Sequence, residues 1–244
     1  MKRYYIYQLI GLLIILLAFA SSCEVAPQQL EGNGNVTVER KAVQEFSGIN
    51  IDGVLTVYLT QGDLNRVEVH TDENLHDLVD VKTINGVLYI DTDDEEQYKA
   101  SQMDVYITAK NIDHIKLNGV TALYSENTLT LTQLNVEKYN TGHLSLAIHA
   151  DDFSIISDGT GDVELTGKAG YADIDNSMVG TISAFGFMVK DMRLIHDGTG
   201  NIEVYVAESL EVDITGVGDV YCKGQPSEIT KISTSVVGRL YVVD

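Results

Sequence analysis

The sequence predicts an all-β protein, a parallel right-handed β-solenoid whose coils are about 20 residues long. The first observation is a turn sequence, Asp-Gly-Thr-Gly, which occurs at Asp158–Gly161 and again 39 residues later at Asp197–Gly200. The second is that aliphatic residues recur at matched places around these turns. The third is that the segments between turns alternate apolar and polar residues and are rich in Val, Ile, Thr and Tyr, which is typical of strands with one buried face.

Residues 1–22 have the features of a lipoprotein signal peptide. Lys2 and Arg3 give a positive start, and an apolar run follows that is shorter than a membrane-spanning helix requires. Small residues then precede Cys23, as in the lipobox of bacterial lipoproteins, although Ala20 replaces the usual leucine. The sequence therefore predicts a lipid anchor on Cys23. An ordinary signal peptide with an incidental cysteine is the alternative.

The next two segments lead into the fold. Residues 23–32 indicate a short tether, because they contain Pro, Gln and Gly and show no apolar period. Residues 33–116 indicate an N-terminal part that is rich in strands but less regular than the rest. One stretch predicts a short helix instead: Thr71 or Asp72 can cap it, and three apolar residues follow on one helix face. These three residues are Leu75, Leu78 and Val79.

A family resemblance rests on this N-terminal part. The stretch "FSGINIDGVLTVYLTQGD" contains the tripeptide Gly48, Ile49 and Asn50, and "ENLHDLVDVKTINGVLYI" and "DVYITAKNIDHIKLNGV" follow it. Together they resemble the putative auto-transporter adhesin head GIN domain family, over about residues 33–244. The resemblance implies an exported, often lipid-anchored β-helical protein of Bacteroidetes-type bacteria. For Gly48 and Asn50 we expect a role in the turn that enters a strand, in preference to a binding role.

Residues 117–244 carry the regular repeat. We define the corner positions as Thr121, Gly142, Gly161, Gly180, Gly200, Gly218 and Gly238, which are 18 to 21 residues apart. The residue two positions after each corner, and the residue six positions before it, is always Val, Ile or Leu. Two strands and two turns cannot form a closed core in 20 residues. Stacked coils can, because their aliphatic residues pile into one column.

The corner sequence could cradle a phosphate, bind calcium or turn the chain. A phosphate loop would follow a strand and open a helix, which this pattern does not predict. The turn interpretation is preferred, because Gly supplies φ > 0 and Asp or Asn bonds its own backbone. Calcium remains an alternative, since hard cations prefer the oxygen ligands that recur at these corners. These oxygens belong to Asp158, Asp162, Asp197, Asn201 and Asp219.

Charge and spacing argue against several classes of function. The formal charge is −20, and it becomes −22 without the two basic residues of the leader, so a nucleic-acid partner is not expected. The acidic pairs Asp151–Asp152, Asp93–Asp94 and Asp158 with Asp162 raise the alternative of a polysaccharide-active β-helix enzyme. No catalytic triad, metal site or cofactor site is predicted from the spacing of the six His and two Cys residues. Cys222 falls on a core position, which predicts an inert packing thiol.

Tyrosine is the most conspicuous residue type in the repeats, with 13 Tyr in the chain and no Trp. Tyr205, Tyr221 and Tyr241 lie five or three positions after their corners, which predicts one shared exposed face. Such a face could bind a glycan or an envelope protein. Packing between neighbouring strands is the alternative.

The hypothesis is a non-catalytic lipoprotein of the cell envelope, placed on the outer membrane at the cell surface or facing the periplasm. Its partners would be the membrane, through the lipid anchor, and a glycan or envelope protein at the solenoid face. An envelope scaffold that self-assembles is the alternative, since a homo-oligomer would cover the last coil. The sequence does not identify the ligand.

Overall fold

The computed structural model describes residues 29–92, 98–234 and 237–244. The signal peptide, Cys23 with most of the tether, and the pair Asp93–Asp94 lie outside the described residues. The strands of the first half are β1 (Leu30–Glu31), β2 (Val36–Lys41), β3 (Gly48–Asp52), β4 (Val54–Gln61), β5 (Arg66–Asp72), β6 (Val79–Ile84), β7 (Val87–Thr92), β8 (Tyr98–Lys99), β9 (Met103–Ala109), β10 (His114–Leu117) and β11 (Val120–Ser125). Those of the second half are β12 (Leu129–Lys138), β13 (Leu144–Ser157), β14 (Val163–Asn176), β15 (Ile182–His196), β16 (Ile202–Ile214), β17 (Val220–Lys223), β18 (Glu228–Thr234) and β19 (Leu240–Val242).

The architecture is a stack of parallel coils, a β-solenoid of about 6 turns, as the repeat predicts. From β12 to β16 each strand pairs in parallel with the strand one coil later. Val163 pairs with Ile182, and Ile182 pairs with Ile202, so the aliphatic residues that follow the corners lie one above another. All three are fully buried or nearly so. The prediction of a single aliphatic column is confirmed here.

The column also continues through the N-terminal half, which the repeat did not reveal. Leu123 pairs with Val57 of β4, and Val57 pairs with Val105. On the other wall of the stack, Ile49 pairs with Leu88 on one side and with Ile115 on the other, and Ile115 pairs with Val136. The N-terminal half is therefore built of coils on the same two columns, with long excursions between them.

The last coil departs from the predicted register. The repeat places Ile232 in the aliphatic column, but Val212 pairs with Lys231, and Ile214 pairs with Thr234. An irregularity between these two pairs shifts β18, and Ile232 is 57% exposed. The expectation for Ile232 is wrong, because a bulge adds a residue that a constant spacing cannot anticipate.

The corner glycines form a column of their own. A positive φ was expected to require glycine at these positions, but close approach between neighbouring coils is the requirement that they share. Gly161 has φ of 114°, in the region that favours glycine, but Gly200 is not left-handed. What the two share is proximity: a Cβ on either would overlap the carbonyl oxygen of the corner glycine one coil earlier. The close stacking of coils therefore requires glycine at Gly200 even where the backbone angle does not.

At the N-terminal end the parallel order changes to antiparallel. β9 pairs antiparallel with β5, β5 pairs antiparallel with β2, and β7 pairs antiparallel with β6. A short 3-10 helix, Glu73–Leu78, joins β5 to β6 and buries Leu75 and Leu78 as predicted. Asp72 precedes it but makes no side-chain capping bond, so its predicted role as a helix cap is wrong.

Asp72 instead fastens the N-terminal segment to the stack. Its carboxylate is fully buried and accepts hydrogen bonds from the Gly34 N–H at 2.7 Å, the Ser101 N–H at 2.7 Å and the Ser101 hydroxyl at 2.9 Å. These bonds favour the ionised form, the first of them from the Ser101 N–H, so the pKa of Asp72 is held below its ordinary value. One carboxylate thus joins three segments of the N-terminal cap.

Candidate functional site

A single row of outward side chains runs along one wall of the solenoid. Its members are paired from one strand to the next, and those from Ser145 to Tyr221 lie between buried neighbours of their own strand. In order along the stack they are Tyr106, Tyr58, Tyr124, Ser145, Glu164, Ser183, Glu203, Tyr221 and Tyr241. The row therefore carries aromatic residues at its two ends and small or acidic residues in its middle.

Five rings stack at the N-terminal end of this row, and we call them the aromatic ladder. The centroids of Tyr58 and Tyr106 are 4.8 Å apart and nearly parallel, and Tyr124 lies 5.9 Å beyond Tyr58. His70 packs on Tyr106 at 4.4 Å, and His143 packs on Tyr124 at 5.5 Å. Each tyrosine of the ladder has a ring on either side, so these tyrosines present ring edges and hydroxyls and cannot take a ligand against a ring face.

A sequence pattern common to three strands accompanies the ladder, although it lies outside the 20-residue period. The strands read "TVYLTQ", "DVYITA" and "ALYSEN", each with a Tyr between two inward aliphatic positions or directly after one. Tyr58 and Tyr106 are 48 residues apart, which is not the period of the regular coils. Desolvation, followed by the nearby Asp104 carboxylate, raises the pKa of both hydroxyls, so they stay neutral donors.

The three tyrosines predicted to share a face lie near the C-terminal end of the same wall. Tyr221 and Tyr241 stack with centroids 5.3 Å apart, and Tyr241 is 39% exposed. Tyr205 pairs in register with Lys223, whose ammonium lies 4.6 Å from the centre of the Phe185 ring. We call these four rings, with Lys223, the aromatic patch. In contrast to the ladder, no further ring of the described chain covers the outer face of Tyr241.

The tripeptide that gives the family its name lies within a strand and not in a turn. Gly48 and Ile49 begin β3, and Ile49 is fully buried in the aliphatic column. A Cβ at Gly48 would approach Val87 to 3.1 Å, and Gly48 does not have a positive φ. Asn50 accepts a 3.4 Å hydrogen bond from the Asn118 amide one coil away, where a local bond was expected. The turn role expected for Gly48 and Asn50 is therefore corrected to a role in coil-to-coil packing.

The carboxylates of the corners bond the backbone of the following coil. Asp162 accepts hydrogen bonds from both the N–H and the hydroxyl of Thr181 at 2.8 Å, and these bonds lower its pKa. Asn201 and Asp219 accept from the backbone N–H one coil later, both at 2.9 Å. Asp158 accepts from the Gly159 N–H beside it. Within the described ranges no three His, Cys, Asp or Glu residues are grouped so that they could hold a metal ion.

Two buried groups show that the interior is polar in places. Asn176 donates a hydrogen bond to Nδ1 of His196 at 3.1 Å, since its carbonyl oxygen already accepts one from Ser157. Burial lowers the pKa of His196, so the ring is neutral and suits this acceptor role. Burial also raises the pKa of Cys222 to about 11, and the thiol lies between Val204 and Val242 as predicted for a packing residue.

A groove of about 580 Å³ lies where β4 and β11 begin. Its floor includes Val54 and Val120, each half exposed, and one wall is formed by residues 98–104. Most of this lining is apolar or uncharged, with Lys99 and Asp104 as its charged members. The groove offers a surface for contact without a convergent set of acids and bases.

A second, smaller hollow lies on the other wall of the solenoid, and we call it the trough. It encloses about 220 Å³ between two outward rows: Tyr171, Asp191, Ser209 and Glu228 in one, and Arg193, Glu211 and Thr230 in the other. The Arg193 guanidinium donates to Asp173 at 3.0 Å and lies 3.8 Å from Glu211. These residues were not predicted to lie together, because their alignment depends on how β14, β15, β16 and β18 pair with one another.

Comparisons with known proteins agree with this architecture. The family model described as "Putative auto-transporter adhesin, head GIN domain" matches residues 45–226. A crystal structure of a putative adhesin from Bacteroides fragilis is similar with a TM-score of 0.83 at 25% identity, over 86% of this chain and 98% of that one. A putative lipid binding protein from Parabacteroides distasonis is similar in fold, with a TM-score of 0.66 at 17% identity, over 88% of this chain and 100% of that one.

A putative adhesin from the same Parabacteroides species has a TM-score of 0.65 at 22% identity, over 88% of this chain and 100% of that one. None of the curated proteins matches the chain. Within the described part of the chain, no helix has both the length and the apolar character needed to cross a bilayer.

Proposed function

Because the chain belongs to the family of the putative auto-transporter adhesin head GIN domain, we propose that it is a lipid-anchored, non-catalytic binding protein of the cell envelope. Its adhesin-like head is the β-solenoid, and its ligand is a glycan or an envelope protein. The family match supports an exported surface protein. The observation that carries the proposal is the aromatic patch, which presents Tyr241 on a stiff wall of parallel strands.

The described acids support a non-catalytic role. Asp158 and Asp162, which the sequence offers as an acid–base pair, hold a turn and the next coil through their hydrogen bonds. Asp151 and Asp152 are both exposed within β13, and only Asp152 has a register partner in the neighbouring strands. Neither pair lines either of the two hollows described above, where an enzyme acting on polysaccharides would need a convergent pair of acids.

The aromatic patch is tested by removing its exposed rings. Tyr221→Ala combined with Tyr241→Ala should weaken binding to a printed array of neutral and acidic glycans, or to immobilised envelope protein, by about tenfold or more. Tyr139→Ala is the matched control, because Tyr139 is 43% exposed and lies outside the patch. Unchanged binding of the double variant, with a folded protein by circular dichroism, would contradict the proposal.

The lipid anchor is tested by Cys23→Ala. We expect this variant to leave the membrane fraction and appear in the soluble fraction, because acylation needs the thiol of Cys23. The control is Cys222→Ala, which removes the other cysteine of the chain and should leave the protein in the membrane fraction. A Cys23→Ala variant that stays with the membrane would contradict an anchor at this residue.

A further inference from the structure

We propose that the trough is a binding subsite for a neutral saccharide, with the Tyr171 ring as the platform for a sugar ring. This inference rests on the proposed function of the head as a binding protein. It places a neutral saccharide on a different wall from the aromatic patch. Three features of the trough support a saccharide ligand: an uncovered aromatic ring, hydrogen-bonding groups that lack partners, and the local charge.

The first feature is the ring itself. Tyr171 is 40% exposed, and in the described chain it stacks on no other aromatic ring, unlike the tyrosines of the aromatic ladder. Its register neighbours on either side are Asp152 and Asp191, which are too small to cover it. A sugar has one face of C–H groups, and such a face packs on an exposed aromatic ring.

The second feature is the set of polar groups around this ring. On this wall some outward polar side chains satisfy one another: the Ser154 hydroxyl donates to Asn135 at 2.7 Å, and within the trough the Ser209 hydroxyl donates to Asp191 at 2.5 Å. Other trough residues differ, because Glu228 and Thr230 have no side-chain hydrogen bond within the described ranges, and Glu211 has only the 3.8 Å ion pair with Arg193.

These partnerless groups match the chemistry of vicinal hydroxyls. The carboxylates of Glu211 and Glu228 accept from sugar hydroxyls, and the Thr230 hydroxyl can donate or accept. The Arg193 guanidinium has five N–H groups, of which only some face Asp173, so others can donate to a ring or hydroxyl oxygen. A saccharide offers donors and acceptors at similar spacing around one ring, and it can use both kinds of group.

The third feature is charge, which decides between neutral and acidic sugars. The one cation that lines the trough, Arg193, already contacts the carboxylates of Asp173 and Glu211. Asp191 and Glu228 add further negative charge, and the whole chain has a formal charge of −20. A uronate would meet carboxylates without a free cation, so the trough favours an uncharged saccharide.

The volume sets the expected strength. About 220 Å³ is less than the 300 Å³ or more that is usual for a small-molecule pocket, so the trough accommodates a short part of a longer glycan. We therefore expect weak binding to a single site, at millimolar to high micromolar dissociation constants. Display of many copies on one surface would convert such weak sites into firm attachment.

The experiment is a binding titration by NMR or calorimetry with a panel of neutral oligosaccharides, namely hexamers of glucose, mannose, galactose and xylose. At least one should bind, and Tyr171→Ala should weaken it by about tenfold. Glu211→Gln, which keeps the shape of the side chain, should weaken it severalfold. Tyr139→Ala is the matched control for loss of an exposed tyrosine.

The outcomes separate this inference from the proposed function. If a neutral glycan binds and only the Tyr221→Ala, Tyr241→Ala double variant weakens it, the aromatic patch is the site and the trough proposal is wrong. If an oligo-uronate of the same length binds more tightly than every neutral hexamer, the charge argument is wrong. If no neutral hexamer binds at about 10 mM, the saccharide subsite is wrong, while a protein ligand at the aromatic patch would keep the proposed function.

Discussion

The two ends of the coil stack share one core but terminate differently. At the N-terminal end, antiparallel strands β5, β2 and β6 are added to the parallel coils, and buried Asp72 fastens the segment that precedes them. In the last described coils, β18 and β19 remain parallel to their neighbours. There the column position holds Lys231, beside a register shift.

The difference shows two ways of ending a repetitive stack. A parallel coil presents unpaired backbone groups at its free edge, and these can add another chain. The N-terminal end changes strand direction and adds charged residues on β2, where Arg40 pairs with Glu68 at 2.7 Å. The last described coil uses a charged side chain and a bulge, two features that hinder edge-to-edge pairing. The stack thus ends with a change of strand direction at the N-terminal end, and with a charged side chain and a bulge in the last described coil.

The largest effect is expected from the corner column, which belongs to the regular coils. Gly200→Ala places a methyl group against the carbonyl oxygen of Gly180, and the coils must move apart to admit it. We expect the free energy of unfolding to fall by roughly 3 kcal/mol, measured by denaturant titration. Gly86→Ala is the control: it has φ of 79° and open space around it, so it should lose only about 1 kcal/mol. A loss at Gly200 no larger than the loss at Gly86 would show that the coil spacing does not require glycine at Gly200.

A smaller and local effect is expected from Asp72→Asn at the N-terminal cap. Asparagine has one acceptor oxygen where the carboxylate of Asp72 receives three hydrogen bonds, from Gly34 and Ser101. Hydrogen exchange at the amides of Gly34 and Ser101 should become faster, while the C-terminal coils keep their protection. Asp80→Asn, an exposed site paired with Lys82, should leave both regions unchanged.

The same residue gives a pH dependence with a definite sign. The pKa of Asp72 is lowered in the folded protein from its ordinary value of 3.8, so the folded state favours the ionised carboxylate. Its stabilisation is complete above pH of about 4 and is lost as the pH falls through the folded pKa. The difference in exchange between the unchanged protein and Asp72→Asn should therefore shrink on acidification. A difference that grows at low pH would contradict this role.

The regular coils could be predicted from the sequence, whereas the N-terminal half could not. The period predicted the inward residues from Leu123 to Leu240 in register, because regular coils repeat at 18 to 21 residues. It did not relate Ile49 to Ile115, since an excursion of 66 residues hides the pairing. Tyr221 and Tyr241 stack because both lie three positions after their corners, and binding at this face stays a prediction. The trough was not predicted, because its residues line up only across neighbouring strands and the register shifts after Lys231.

The smallest effect is expected at the last described coil. Lys231→Val restores an aliphatic residue opposite Val212 and removes an edge charge. We expect this variant to self-associate more than the unchanged chain, with an apparent mass that rises with concentration in light scattering. Lys168→Val makes the same change on β14, which has neighbours on both sides, and should not alter the mass. Identical masses for the two variants would show that Lys231 does not protect the edge.

The continuity of the column from the N-terminal half into the regular coils is tested most directly by a disulfide across the 66-residue excursion. Asn50 and Lys116 are register partners on adjacent parallel strands, and both are half-buried on the outward side. Asn50→Cys with Lys116→Cys should form a disulfide in the folded protein, because adjacent strands bring the Cα atoms to about 5 Å. Asn50→Cys with Glu137→Cys is the control: Glu137 lies one strand further, at about 10 Å, and should not cross-link. Efficient cross-linking of the first pair alone is the predicted result, and a first pair that stays reduced, or a control pair that cross-links equally well, would contradict the single column.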